Sequence, residues 1–150
     1  MSPYLGFGSL DPIVETALRN DAGVFVLALT SNPEGPQFQH ATTPDGRTVA
    51  GAVLDAVASL NVDAEDLGSI GVVVGATIGE TTENLDVNGP LLVPGIGAQG
   101  GTVDDVRRIF GTAARNVLPS SSREVLAAGP DKRALHEAAL RAAETFSSLA

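Results

Sequence analysis

Two apolar runs, Val24–Leu29 and Ile70–Val74, do most to limit what this chain can become. Both are of strand length, rich in valine and free of polar residues at alternate positions. A strand wetted on one side alternates apolar with polar residues. An uninterrupted run suits a strand covered on both faces, as in a parallel sheet. Leu91–Val93 and Asn116–Leu118 read as two further, shorter strands. Between and after them lie helical patterns. Pro12–Arg19 puts Ile13, Val14, Ala17 and Leu18 on one face, with Asp11 as its expected cap. Val49, Val53, Val57 and Leu60 recur at helical spacing, joined by Ala50 and Leu54. Val103, Val106, Ile109 and Phe110 predict a shorter helix ended by Gly111. Ser121-x-x-Glu124 reads as a capping box opening a helix that stops at Gly129-Pro130. From Asp131 a tail helix aligns Leu135, Ala138, Ala139, Ala142, Phe146 and Leu149.

Strand alternating with helix over 150 residues predicts one α/β domain with about four parallel strands, residues 1–150. Two architectures stay open: a free-standing open sheet of four, or half of an eight-stranded barrel. A polar insert, Glu34 to Arg47, follows the first strand, with a turn at Asp45-Gly46. The composition is 43% hydrophobic but only 4% aromatic, so the core must be aliphatic. A formal charge of -9 argues against a nucleic-acid partner. Absence of cysteine removes disulfides, thiolate nucleophiles and cysteine metal sites. No apolar stretch is long enough for a membrane span, and Met1-Ser2-Pro3-Tyr4 lacks the pattern of a secretory signal. The expectation is a soluble cytoplasmic protein with no membrane partner.

Chemistry concentrates in Leu91 to Thr102, where an apolar run breaks at Pro94 and passes through Gly95, Gly97, Gly100 and Gly101. Thr102 and Asp105 then signal a helix start. Glycines let backbone N–H groups approach a ligand, and a helix N-terminus adds unpaired donors and partial positive charge. Such a loop suits an anion, most often a phosphate. Gly95-x-Gly97-x-x-Gly100 also matches a dinucleotide pattern, but no carboxylate ends the next strand to meet a ribose. The other loops after strands hold Thr30 to Gly35, Gly75-Ala76-Thr77 and Ser120 to Arg123. Hydroxyls, amides, glycines and one arginine bind and orient but supply little proton chemistry. Glu34 is the one candidate base in these loops, and a carboxylate in a Pro/Gly loop is more often simply solvated. Lys132 is the only lysine; His40 and His136 have no partner at metal-ligand spacing and read as surface residues.

Five segments carry a resemblance: Ser2-Pro3-Tyr4-Leu5-Gly6, Val24 through Gly35, Gly71 through Thr77, Pro94 through Gly101, and Ser120 through Glu124. In this order they resemble the C-terminal half of orotidine 5'-phosphate decarboxylase in its longer bacterial branch. The likeness runs from about residue 2 to about residue 130. That family is a (β/α)8 barrel, usually dimeric, converting orotidine monophosphate to UMP and CO2 with no metal or organic cofactor. The resemblance implies that this chain starts at the end of barrel strand 4 and carries strands 5 to 8. Ser31 would then hydrogen-bond the pyrimidine, and Gln99 would bridge base and phosphate. Gly100 and Gly101 would give backbone N–H groups, and Ser122 and Arg123 would complete the phosphate cradle. The family's usual Gly-Arg pair at that turn is lacking here.

The family's catalytic Lys-Asp-Lys-Asp set, whose lysine protonates C6, belongs to strands 2 and 3 and would lie before Met1. The implied function is therefore a substrate-binding half, inactive alone. Its implied partners are an orotidine monophosphate- or UMP-like ligand and a second copy or complementary N-terminal half. The alternative is a stand-alone α/β module for a nucleotide or sugar phosphate, or an assembly partner without catalysis. Four strands would leave two edges and the inner sheet face open, unless the tail helix covers that face.

Overall fold

The computed structural model describes residues 1–97 and 99–149. Its elements are α1 (Asp11–Arg19), β1 (Val24–Leu29), α2 (Pro36–Gln39), α3 (Val49–Leu60), β2 (Ile70–Val74), β3 (Leu91–Pro94), α4 (Val103–Phe110), β4 (Val117–Ser120), α5 (Arg123–Ala127) and α6 (Lys132–Phe146). Turns of 3-10 helix occupy Phe7–Leu10, Gly111–Asn116 and Ser147–Leu149. The four strands form one sheet in the order β1-β2-β3-β4, and every pairing is parallel. Sequential order with parallel neighbours is the arrangement of a barrel wall.

Burial is one-sided. The register aligns Val26 with Val72, Val72 with Leu91, and Leu91 with Val117. Strand side chains alternate, so these residues share a face with Ile70, Val74 and Val93, and all are buried. Val53, Leu54 and Val57 of α3 and Val106 and Phe110 of α4 join them in one cluster. On the other face Phe25, Leu27, Val73 and Leu92 are only half-buried, and Leu118 is 49% exposed. The helices thus cover one side of the sheet, and the inner face stays largely open as expected. Instead of crossing it, α6 packs against α5, and Phe146 and Leu149 add to the helix-side core.

The connection from β2 to β3, residues 75–90, contains no helix. Leu85 and Val87 are buried in its place. The buried Asn61, at the end of α3, ties this crossover down. Its Nδ2 donates to the carbonyls of Ile70 at 2.8 Å and Val87 at 3.0 Å, while its Oδ1 accepts from the Ile70 N–H at 3.3 Å. Asn88 returns a bond to the Asn61 carbonyl at 2.9 Å.

Several local expectations need correction. Asp11 does not cap α1; the preceding 3-10 turn runs straight into the helix, and Leu10 is the capping residue without a side-chain bond. The last strand is Val117–Ser120 rather than Asn116–Leu118, because Asn116 closes a 3-10 turn. Pro119 is tolerated there because β4 is an edge strand. Ser121 and Glu124 do not form a capping box. Their side chains meet each other at 3.3 Å, and Ser122 opens α5 without a side-chain cap bond. The edge of β1 is not bare, since Met1 exchanges backbone bonds with Phe25 and Leu27.

Replacing Asn61 by alanine strands two carbonyls and one N–H in the interior. Buried unsatisfied groups cost about 1–3 kcal/mol each, so Asn61→Ala should destabilise the fold by about 3 kcal/mol. Urea unfolding measures this, and a loss below about 1 kcal/mol would contradict the role given to Asn61.

Candidate functional site

The loops at the C-terminal ends of the four strands build two clefts. One, of about 180 Å³, is lined by Pro94, Gly95, Ile96, Gln99, Ser120, Ser122 and Arg123. It lies where β3 and β4 end. The second, of about 160 Å³, lies where β1 and β2 end, and Thr30, Ser31, Asn32, His40, Thr77, Glu80 and Thr81 are among its lining residues. Three expected residues, Gln99, Ser122 and Arg123, are thus brought together. Ser31 lies in the other cleft, and Gly100 and Gly101 line neither. Ala98 lies outside the described residues.

Gly75-Ala76 joins the two clefts. The Gly75 N–H donates to Leu29 at 3.0 Å, and the Ala76 N–H to Pro94 at 2.8 Å. A Cβ on Gly75 would stand 3.7 Å from the Ser31 hydroxyl, and one on Gly101 would stand 2.6 Å from the Ala76 methyl.

The β3–α4 loop needs glycine for two separate reasons. Gly95 has φ +95, and the Gln99 amide oxygen lies 2.7 Å from where its Cβ would stand. Gln99 therefore folds back over Gly95. Gly97 has φ +67, and the Glu124 carboxylate occupies the space of its Cβ.

The backbone donors of this loop are turned inward. Gly97 donates to the Gly101 carbonyl at 3.2 Å, Gly100 to Gly97 at 2.7 Å, and Gly101 to Gly95 at 3.1 Å. The N-terminus of α4 is also satisfied internally. Thr102 Oγ1 accepts from the Asp105 N–H at 3.1 Å, and Asp105 Oδ2 accepts from the Thr102 N–H at 3.1 Å. Asp104 and Asp105 further offset the positive end of the helix. The N–H groups of Gly97, Gly100, Gly101, Thr102 and Asp105 are therefore committed within the loop and cap. The polar side chains lining the cleft are those of Arg123, Ser120, Ser122 and Gln99, and Arg123 forms no ion pair among the described residues. A planar cation beside a hydroxyl and an amide can hold an anion with directional bonds.

The Ser31 cleft holds Thr77 of the expected strand-end loop, and it also carries features that sequence reasoning missed: Glu80 and Thr81, and a chain of polar bonds reaching Glu34. His40 is exposed, as a surface residue should be, yet it lines this cleft. The Asn32 amide donates to Glu34 at 3.0 Å and holds its carboxyl below the usual glutamate range. That makes Glu34 a weak base. Lys132 and His136 are exposed on α6. No group of His, Asp or Glu among the described residues stands at metal-binding geometry. No described helix is long and apolar enough to cross a membrane.

A parallel sheet with helices on one face and its polar residues at the strand C-termini is part of a (β/α)8 barrel, with loops placed as in barrel enzymes. The family profile of orotidine 5'-phosphate decarboxylase / HUMPS matches residues 1–138, and the chain belongs to that family. A curated orotidine 5'-phosphate decarboxylase from Nocardioides sp. is 65% identical over 129 residues, 84% of this chain and 47% of that protein. One from Salinispora arenicola is 59% identical over 142 residues, covering 94% of this chain and 51% of its own. A crystal structure from Streptomyces avermitilis, designated a candidate orotidine 5'-phosphate decarboxylase, superposes with a TM-score of 0.94 at 56% identity. It covers 99% of this chain and 52% of that one. The Leishmania donovani OMP decarboxylase superposes at 0.68 with 30% identity, over 99% of this chain and 55% of its own. The chain spans about half the length of the curated relatives it matches.

The α4 cap sets a pH dependence. Thr102, then Arg108, hold the Asp105 carboxyl below the usual aspartate range. A depressed folded-state pKa adds stability that is complete above the unfolded value and lost as pH falls through the folded one. Acidification below the ordinary aspartate range should therefore open this cap, with the Thr102 amide shift following the Asp105 carboxyl in an NMR titration. Titration of Asp105 at or above its ordinary value would contradict the assignment.

Proposed function

We propose that this chain is the phosphate- and pyrimidine-binding half of an orotidine monophosphate decarboxylase, acting in pyrimidine biosynthesis. The observation that carries the reading is the convergence of Gln99, Ser122 and Arg123 on one cleft at the ends of β3 and β4. Phosphate sites of such barrels are built from the loops after strands 7 and 8, where the family resemblance puts these residues. In this reading Arg123 and Ser122 hold the phosphate, Gln99 spans phosphate and base, and Ser31 meets the pyrimidine. Gly100 and Gly101 contribute N–H groups once the loop gives up its internal bonds.

Breaking the bond between C6 and the carboxylate leaves an electron pair on C6 that needs a placed proton donor. The single lysine, Lys132, lines neither cleft. The 150-residue chain on its own therefore binds its ligand without turning it over. Purified protein should show no decarboxylation above background, and addition of a complementary N-terminal half should restore it. Binding should follow the phosphate. UMP should bind more tightly than uridine, and Arg123→Ala should weaken UMP by about tenfold or more, the loss of one charge-assisted bond, while sparing uridine. Equal calorimetric affinities for UMP and uridine would remove the phosphate reading.

The half-buried inner face and the sheet edges support a homodimer or pairing with a complementary half. Leu118, 49% exposed, ends that face at one edge, and Met1 bonds along only part of the other. Specific association needs about 1,000 Å² of buried surface. Light scattering at tens of micromolar (roughly the range where such contacts hold) should find a dimer, and a monodisperse monomer would overturn this.

A further inference from the structure

The two residues that flank Ser31 are locked while its own hydroxyl makes no hydrogen bond among the described residues. Gln39, at the end of α2, grips Thr30 twice: its Oε1 accepts from the Thr30 N–H at 2.9 Å, and its Nε2 donates to Thr30 Oγ1 at 2.6 Å. The Thr30 hydroxyl, which accepts that bond, carries a single proton of its own and donates it onward to Asn32 Oδ1 at 2.6 Å. Asn32 Nδ2 in turn donates to Glu34 Oε2 at 3.0 Å. The chain is directional, amide to hydroxyl to amide to carboxylate, and it passes on both sides of Ser31. The backbone closes the same loop, with Gly35 donating to Asn32 at 3.0 Å and Gln39 to Gly35 at 3.0 Å. Gly35 is packed against it; a Cβ there would stand 3.0 Å from Thr30 Oγ1 and 3.2 Å from Gln39 Oε1. Ser31 thus enters its cleft from a backbone fixed at both neighbours.

We infer that Gln39 is a positioning residue for base recognition, acting on Ser31 through Thr30 and Asn32. The inference rests on the reading of Ser31 as the pyrimidine-binding hydroxyl. Groups behind a binding residue fix its orientation, and holding the loop in its bound shape lowers the cost of binding. The polarity of the chain supplies a test that leaves packing intact. Gln39→Glu is isosteric, but a carboxylate cannot donate to Thr30. The threonine hydroxyl must turn to donate to residue 39, and Asn32 loses its donor.

The experiment compares UMP with ribose 5-phosphate, which lacks the base, by calorimetry on the 150-residue chain. The variants are Gln39→Glu, Ser31→Ala and the two combined. Gln39→Glu and Ser31→Ala should each weaken UMP about tenfold and leave ribose 5-phosphate within about twofold, and the combined variant should be no worse than Ser31→Ala alone. Such non-additivity marks residues acting through one interaction. Unchanged UMP affinity in Gln39→Glu, or independent effects in the combined variant, would overturn the inference while leaving the site reading in place. A wild-type chain that binds UMP no better than ribose 5-phosphate would overturn the site reading, and the inference with it. Thr30→Val removes the relaying hydroxyl at constant shape and should reproduce the Gln39→Glu result. A change in Thr30→Val equal for both ligands would mark the chain as merely structural.

Discussion

Burial of one face of a valine-rich parallel sheet is the constraint on which the rest of this chain depends. Val26, Val72, Leu91 and Val117 stand in register across the strands and are covered by α3 and α4. Packing there fixes the strands to the helices, and hence where each strand ends. The opposite face, with Phe25, Leu27, Val73, Leu92 and Leu118, is only partly covered. In a whole barrel such residues fill the interior in layers from all strands. Half a barrel therefore has a finished outer layer and an unfinished inner one. This asymmetry lets the chain fold around one finished layer while the other face stays half-buried.

The strand ends carry the polar groups because the middles cannot. In β1 to β3 the residues are apolar or glycine up to the point where each strand stops, and Thr30, Gly75 and Gly95 follow directly. Each following loop then satisfies itself. The β3–α4 loop uses its own carbonyls and the Thr102–Asp105 box, and the β1–α2 loop uses the chain from Gln39 to Glu34. Self-satisfied loops hold their shape without a ligand. Among the side chains that line the two clefts, the Ser31 hydroxyl makes no hydrogen bond and the Arg123 guanidinium no ion pair within the described residues.

What could be read in the sequence follows from the range of the interactions. The strands β1 and β2 were legible to the residue because each run is of strand length, rich in valine and uninterrupted by polar residues. The Thr102–Asp105 cap was legible because donor and acceptor lie three residues apart. The failures have two sources. Ser121 and Glu124 have the spacing of a capping box, yet their side chains spend their bonding on each other. Asn61 looked like any helix-ending asparagine, and its partner Val87 lies 26 residues away across a crossover without a helix. Gln39 was hidden for a related reason: its partner Thr30 is nine residues distant, and nothing in a polar insert signals that α2 folds back on its strand. For the candidate site, spacing marked the glycine loop as a feature but could not show that its donors point inward.

The charge of the molecule sharpens the last point. With a formal charge of -9, the mean field repels an anionic ligand, and any affinity for phosphate has to come from short-range contacts within about one Debye length, roughly 8–10 Å. Backbone N–H groups would supply such contacts, but those of Gly97, Gly100, Gly101 and Thr102 are occupied by the Gly101, Gly97 and Gly95 carbonyls and by Asp105. The Arg123 guanidinium, in a cleft it shares with Ser120, Ser122 and Gln99, is a local source of attraction. Glu124, adjacent in sequence to Arg123 and packed over Gly97, adds a negative charge close by. An anion in this cleft would therefore meet the Arg123 guanidinium and the Glu124 carboxylate together, and the balance of the two short-range terms sets its affinity.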